Sequence, residues 1–196
     1  MRLAIAQLNT TVGDLEGNRT LILDAHMEAV KQGADLVLYP ELVTCGYPPQ
    51  DLVTRPDFVS AVTQLNHHLA ESLSAGPAAV FGTLEGAAEG ASRSVHNSAW
   101  VVDGGRILGR HDKILLPAYD VFDESRTFEP GGEAHPIEIR GHSVGIAICE
   151  DLWTPIPPSS EQALPGANVL LNLSASNDVI GKSAWRSDLV RSQSGR

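Results

Sequence analysis

Short apolar runs separated by polar loops dominate the chain, and two helical stripes interrupt them. Residues 2–8 alternate in strand fashion, with Leu3, Ile5 and Leu8 apolar. Gly13-Asp14 and Gly17-Asn18 form a loop, and the Asn18 side chain is placed to cap a helix over residues 19–32. On that helix Leu23, Met27 and Val30 share a face, and Gly33 ends it. Residues 35–39 then read as a short strand, apolar from Leu36 onward. This β-α-β order predicts a parallel pair joined by a crossover helix.

Further along, Pro48-Pro49 breaks the chain, and Pro56 suits a first helical turn. Phe58, Val62, Leu65, Leu69 and Leu73 follow at helical spacing. Strands are predicted at 78–83 and 95–102, with 86–94 a surface loop. Asp103-Gly104-Gly105 turns the chain into a returning strand at 106–109. Residues 117–133, with two prolines and two adjacent glycines, read as a long irregular loop, and such loops inside a domain are usually functional. Strands at 136–140 and 143–149 meet at Gly141-His142, and a proline-rich loop covers 155–158. Val169–Leu173 is a further strand, left by Ser174-Ala175-Ser176-Asn177. Residues 183–194 read as a helix running to Gly195-Arg196 with no closing strand, which suggests a fragment of something longer.

The chain has 196 residues, enough for one domain with a real core. Its 42% hydrophobic and 19% charged content is that of a soluble globular protein. A formal net charge of −10 disfavours contact with phosphate backbones, so nucleic acid is not an expected partner. No apolar stretch approaches a membrane span, and the first residues lack a signal-peptide core, so a cytoplasmic location is expected. The two cysteines, Cys45 and Cys149, are expected to be free thiols. The seven histidines fit no metal-ligand spacing, so no metal site is expected, and His67-His68 reads as a solvated helix face.

Three reactive side chains end apolar segments. Glu41 follows Leu36-Val37-Leu38-Tyr39-Pro40, Lys113 opens Lys113-Ile114-Leu115-Leu116, and Cys149 follows Val144-Gly145-Ile146-Ala147-Ile148. A thiol needs a base or a nearby cation to act as a nucleophile. A partly buried Glu41 supplies the base, and Lys113 supplies positive charge for the thiolate and for a tetrahedral oxyanion. On spacing alone, an inert buried cysteine with two solvated rim charges is the more ordinary reading. A competing motif, Gly141-His142-Ser143-Val144-Gly145, has the G-x-S-x-G form of a serine nucleophile elbow. That elbow needs a helix after the serine, whereas Val144–Cys149 reads as a strand, so a hairpin turn is favoured.

Glu41, Lys113 and Cys149 with their surroundings resemble the Glu-Lys-Cys triad of the nitrilase (carbon–nitrogen hydrolase) superfamily. The local motifs resemble one branch, the glutaminase domain of glutamine-dependent NAD synthetases. They are Gln7-Leu8-Asn9, Val12-Gly13-Asp14, Pro40-Glu41-Leu42, Gly46-Tyr47-Pro48-Pro49, Leu116-Pro117, Val121-Phe122-Asp123-Glu124, Cys149-Glu150-Asp151-Leu152-Trp153 and Asn172-Leu173-Ser174-Ala175-Ser176. The resemblance covers nearly the whole chain.

It implies a four-layer α-β-β-α sandwich, incomplete at its C-terminal end, with the triad at strand ends. It implies that Cys149 attacks the side-chain amide of glutamine, that Glu41 acts as base, and that Glu124 orients Lys113 or the amide. Tyr119, Glu150 and Ser176 match positions lining the glutamine pocket, and the backbone N–H of Glu150 matches part of an oxyanion site. Lys182 and Arg186 are candidates for the substrate carboxylate. Tyr47 reads equally as a ring near the pocket or a core aromatic, Trp153 as packing, and Cys45 as a buried thiol without chemistry. Departures from the branch pattern fall at Ala118, Thr127 and Asn177, which bear on the pocket rather than the triad. The amidase reaction needs no cofactor. ATP and Mg belong to a downstream synthetase domain that would receive the ammonia, and its pyrophosphate loop is absent from this sequence. The resemblance also implies a homo-oligomer. A stand-alone small-amide amidase and an inactive scaffold of the same fold are the alternatives.

Overall fold

The computed structural model describes residues 1–154 and 157–194. Pro155 and Ile156 of the expected proline-rich loop, and the terminal Gly195-Arg196, lie outside the described residues. In chain order the elements are β1 (Leu3–Ile5), α1 (Leu15–Lys31), β2 (Leu36–Leu38), α2 (Pro56–Ser72), β3 (Ala78–Gly86), β4 (Val95–Asp103), β5 (Arg106–Asp112), α3 (Glu124–Thr127), β6 (Ile137–Ile139), β7 (His142–Ile148), α4 (Pro158–Ala163), β8 (Val169–Leu173) and α5 (Lys182–Ser194).

Two sheets stack between helices. One has the order β1-β2-β3-β4-β5, the other β6-β7-β8. β1, β2 and β3 run parallel, while β4 and β5 return antiparallel. β7 pairs antiparallel with β6 and parallel with β8. Leu36, Leu38, Val80 and Val101 of the larger sheet meet Val144, Ile146, Ile148 and Leu171 of the smaller one in a dry interface. The opposite face of the larger sheet, with Val37, Tyr39, Phe81 and Trp100, packs against Ile22 of α1 and Leu65 and Leu69 of α2. β2 is therefore buried on both faces, which explains why it reads as a continuous apolar run. On the far side α4 sits against β7, with the Gln162 amide donating to the Ile146 carbonyl at 2.9 Å. This is the expected α-β-β-α layering.

Three local expectations change. The α1 helix begins at Leu15, capped by Asp14, whose carboxylate accepts from the Gly17 N–H. Asn18 is instead buried inside the first turn, where its amide bonds both backbone groups of Thr11 and the Thr44 carbonyl. Its burial turns the helix, so the inward stripe is Asn18-Ile22-His26-Ala29, and Met27 and Val30 are exposed. It is Ala4 of β1 and Ala6 just after it that pack on the helix side. Leu3 pairs with Leu36 and so faces the sheet–sheet side, but β1 is an edge strand and Leu3 and Ile5 stay exposed there. The loop 117–133 contains one short helix, α3, and carries Glu124 into the interior.

Gly141-His142-Ser143-Val144-Gly145 is the turn and first half of β7, with Ser143 paired to Glu138 across the hairpin. A strand follows the serine, so the elbow geometry is absent.

Candidate active site

The ends of β2, β5, β7 and β8 converge on one buried cluster. Glu41 lies just past β2 and is 2% exposed, and Lys113 lies just past β5 and is fully buried. The turn carrying Glu41 presses against β3 at Gly82, where a Cβ would come within 2.3 Å of the Leu42 nitrogen. Only glycine allows that approach. Leu42 itself has φ +48°, a strained value for a branched residue next to the acid. Gly131 plays the same part behind the lysine: its N–H donates to the Lys113 carbonyl at 2.8 Å, and a Cβ there would meet the Asp112 carbonyl at 2.1 Å.

The Lys113 ammonium donates to Glu41 Oε1 at 2.8 Å and lies 2.7–2.8 Å from the Glu124 carboxylate oxygens. Glu41 Oε1 also accepts from the Asn97 amide at 2.8 Å, and Oε2 accepts from the Ala175 N–H at 2.9 Å. Glu124 Oε1 accepts from the Tyr47 hydroxyl at 2.8 Å. Burial alone would lower the Lys113 pKa, but the Glu41 and Glu124 carboxylates reverse that and raise it above the usual lysine range. Burial also raises Glu124, against the pull of Lys113, and the Glu41 charge adds to the rise.

Cys149 opens a 3-10 turn, Cys149–Leu152, directly after β7 and adopts φ +45°. This left-handed geometry at a non-glycine residue is uncommon and clusters at functional sites. Its thiol accepts from the Ser174 hydroxyl at 3.5 Å. Burial and then the Glu41 charge push the Cys149 thiol up to about 12, with Lys113 acting in the opposite direction. In its resting state the sulfur is therefore protonated at neutral pH. Cys45, by contrast, sits among Leu42, Val53 and Val62, and burial raises its thiol to about 12 with no cation beside it.

A cavity of about 560 Å³ opens on Cys149, a size suited to a small molecule. Tyr119, Glu150, Trp153, Ser176 and Lys182 line it, so the expected pocket residues do gather around the sulfur. The Tyr119 hydroxyl donates to Glu150 at 2.8 Å, and Lys182 donates to Asn177 at 2.6 Å and sits 5.3 Å from the Trp153 ring centre. Asn177, a departure from the branch pattern, thus anchors the Lys182 ammonium. Arg186 faces a neighbouring hollow with Gln7, Tyr39 and Ser176 and does not line the Cys149 cavity. Trp153 is more than packing: it lines the cavity, with its ring tilted against that of Trp185 at 4.8 Å between centres. Tyr47 likewise is a hydrogen-bond partner of Glu124 and not only a packed ring.

Asn97, Ser174 and the Ala175 N–H were not singled out for the site in the sequence. Asn97 stands between His96 and Ser98 in the polar first half of β4, so its type and neighbours carry no local signal; only its burial, which obliges the amide to find a partner, marks it. Among the described residues no group of three or more His, Cys, Asp or Glu side chains is placed to hold a metal ion. No described helix is long and apolar enough to cross a membrane.

Comparison with known proteins agrees with this geometry. The carbon–nitrogen hydrolase family matches residues 2–192. The glutamine-dependent NAD(+) synthetase of Thermotoga maritima is 39% identical over 192 residues, covering 97% of this chain and 32% of that protein. The structure of the glutamine-dependent NAD+ synthetase of Acinetobacter baumannii superposes with a TM-score of 0.85 at 32% identity, over 97% of this chain and 36% of the other. An amidase from Nesterenkonia sp. gives a TM-score of 0.82 at 25% identity, over 98% of this chain and 71% of its own. The chain spans about a third of the length of the curated relatives it matches. With its sandwich of two sheets and its buried carboxylate–ammonium–thiol cluster, the chain belongs to the carbon–nitrogen hydrolase family.

Proposed function

We propose that this domain hydrolyses the side-chain amide of glutamine through a Cys149 thioester and delivers the ammonia to ATP-dependent NAD synthesis in a longer cytoplasmic protein. The observation that carries the reading is the buried Lys113 ammonium held between Glu41 and Glu124, beside a cavity that opens on Cys149. The naming of relatives as glutamine-dependent NAD(+) synthetases supports the choice of glutamine.

The chemistry follows from the charges. Because the resting thiol is protonated, attack and deprotonation go together. Cys149 Sγ bonds to the amide carbon as its proton passes to Glu41, and the carbonyl oxygen gains the negative charge. Lys113, with the backbone N–H of Glu150, stabilises that oxyanion. Collapse breaks the C–N bond, and Glu41 returns the proton to the departing nitrogen, giving ammonia and a glutamyl thioester. Water then attacks the thioester, Glu41 takes its proton, and the C–S bond breaks to give glutamate and the thiol. Glu124 and Asn97 hold the lysine and the acid in place. Glu150 offers a carboxylate to the substrate α-ammonium group, and Lys182 an ammonium to the α-carboxylate. ATP and Mg²⁺ would act in the two thirds of the relatives' length that this domain does not match, in a homo-oligomer. The Nesterenkonia amidase, which covers the fold with a much shorter chain, favours small-amide hydrolysis as the second reading.

Replacing the nucleophile tests the thioester, and substrate preference separates the two readings. In the longer protein, Cys149→Ala should abolish glutamate release from glutamine and leave NAD formation from supplied ammonia intact. Survival of glutamine hydrolysis would refute the thioester. Turnover of simple aliphatic amides in preference to glutamine would select the amidase.

A further inference from the structure

The motif Cys149-Glu150-Asp151-Leu152-Trp153 contains one acid with no part in the chemistry above. Asp151 is fully buried and lines no cavity next to the sulfur. It nevertheless accepts four hydrogen bonds. Oδ2 accepts from the Ile148 N–H at 3.0 Å and from His111 Nε2 at 3.1 Å. Oδ1 accepts from the Ile114 N–H at 3.1 Å and the Leu115 N–H at 2.9 Å.

These donors belong to two parts of the chain. Ile148 immediately precedes the nucleophile and ends β7. Ile114 and Leu115 immediately follow Lys113, and His111 lies two residues before it in β5. One carboxylate therefore fastens the turn that presents the sulfur to the segment that presents the ammonium. The two segments come from different sheets, and no backbone hydrogen-bond ladder joins β5 to β7. The fastening also bears on strain. Cys149 holds φ +45°, a geometry that persists only when its surroundings over-determine it. With the backbone N–H before it and the side chain two residues after it tied to one point, the turn has little room to relax.

We infer that Asp151, with His111 as its side-chain donor, is a positioning residue that sets the register between Cys149 and Lys113. The inference rests on Cys149 being the nucleophile. A carboxylate is needed here because all four contacts are donors, and an ionised carboxyl accepts at both oxygens. Asparagine would keep the shape but turn an N–H₂ toward one pair of donors.

The test uses Asp151→Asn, His111→Ala and His111→Gln in the longer protein, at a temperature where circular dichroism shows each variant folded. Asp151→Asn should lower kcat for glutamine hydrolysis about 100-fold, the scale of a misplacement of about 1 Å, with KM within about threefold of wild type. The buried thiol should at the same time become more accessible, so alkylation of Cys149 by iodoacetamide should quicken more than about threefold. His111→Ala should cost about tenfold in kcat, and His111→Gln, which returns an N–H at similar reach, should restore most of that loss. A folded Asp151→Asn protein with kcat and alkylation both within about threefold of wild type would overturn the inference. If Asp151→Asn does not fold, equal kcat in the two His111 variants would overturn it. If wild type itself releases no glutamate, the function proposed above fails, and the alkylation rates alone then decide the clamp.

Discussion

The base of the site and its mouth are built on opposite principles. At the base, Glu41, Lys113 and Glu124 are buried and share hydrogen bonds with Asn97, Tyr47 and the Ala175 N–H, so that every charge answers another. At the mouth, Tyr119 is exposed and Lys182 and Glu150 are partly so, each with a single side-chain hydrogen-bond partner. Removing a member at the base leaves an uncompensated charge in a low-dielectric interior, whereas removing one at the mouth lets water take its place. Under the proposed reaction the difference separates the residues assigned to chemistry from those assigned to substrate, and it predicts that effects on kcat and on KM divide along the same line.

The largest effect belongs to the one cation at the base. Lys113→Met leaves two buried carboxylates facing each other, which costs about 3–5 kcal/mol of stability. Glutamine hydrolysis should fall by more than about 1,000-fold, because the oxyanion and the thiolate lose the same partner. Loss of turnover with an unchanged urea midpoint would show that the lysine is not wired as drawn.

Glu41→Gln comes next and sharpens the comparison through pH. With the base gone, hydrolysis should drop about 1,000-fold. The Glu41 charge is also the main electrostatic cause, after burial, of the raised Cys149 thiol. Removing it lowers that pKa, so alkylation of Cys149 by iodoacetamide at pH 8 should speed up while catalysis stops. In wild type the alkylation rate should keep climbing from pH 8 to pH 10 without a plateau, since the thiol is raised to about 12. The sign for stability follows: the native thiol holds its proton where the unfolded one loses it, so stability falls as pH rises from about 9 toward 12. Alkylation that slows in Glu41→Gln would mean the acid and the sulfur do not interact.

This division also explains what was legible in the sequence. Glu41 and Cys149 follow the buried apolar runs of β2 and β7, so the hydrophobic pattern marks them; Lys113 follows the largely exposed β5 and is marked only by the apolar Ile114-Leu115-Leu116 after it. Their convergence was not periodic information: it came from motif resemblance, because three residues far apart in sequence meet only through sheet stacking. Asn97, Ser174 and Asp151 escaped because their roles are relational. Each is an ordinary polar residue until the partner across the fold is known. The α1 face is hidden from the local pattern for a similar reason: the Asn18 side chain satisfies a loop 26 residues away at Thr44, and that tertiary bond outweighs the local capping preference.

The smallest expected effect, Tyr119→Phe, tests the mouth. The Tyr119 hydroxyl donates to Glu150, and burial together with that bond raises its own pKa to about 12, so it stays a donor throughout the working pH range. Its ring stands edge-on to Phe122 at 5.9 Å, and this contact survives loss of the hydroxyl, so the ring keeps its place. What the variant removes is one partly solvated hydrogen bond, about 1 kcal/mol. Glu150 then loses the group that orients it toward the substrate α-ammonium. KM for glutamine should rise about three- to fivefold with kcat unchanged, the pattern of binding energy shared by ground and transition states. A fall in kcat with KM unchanged would instead join Tyr119 to the wired base and erase the boundary between the two regions.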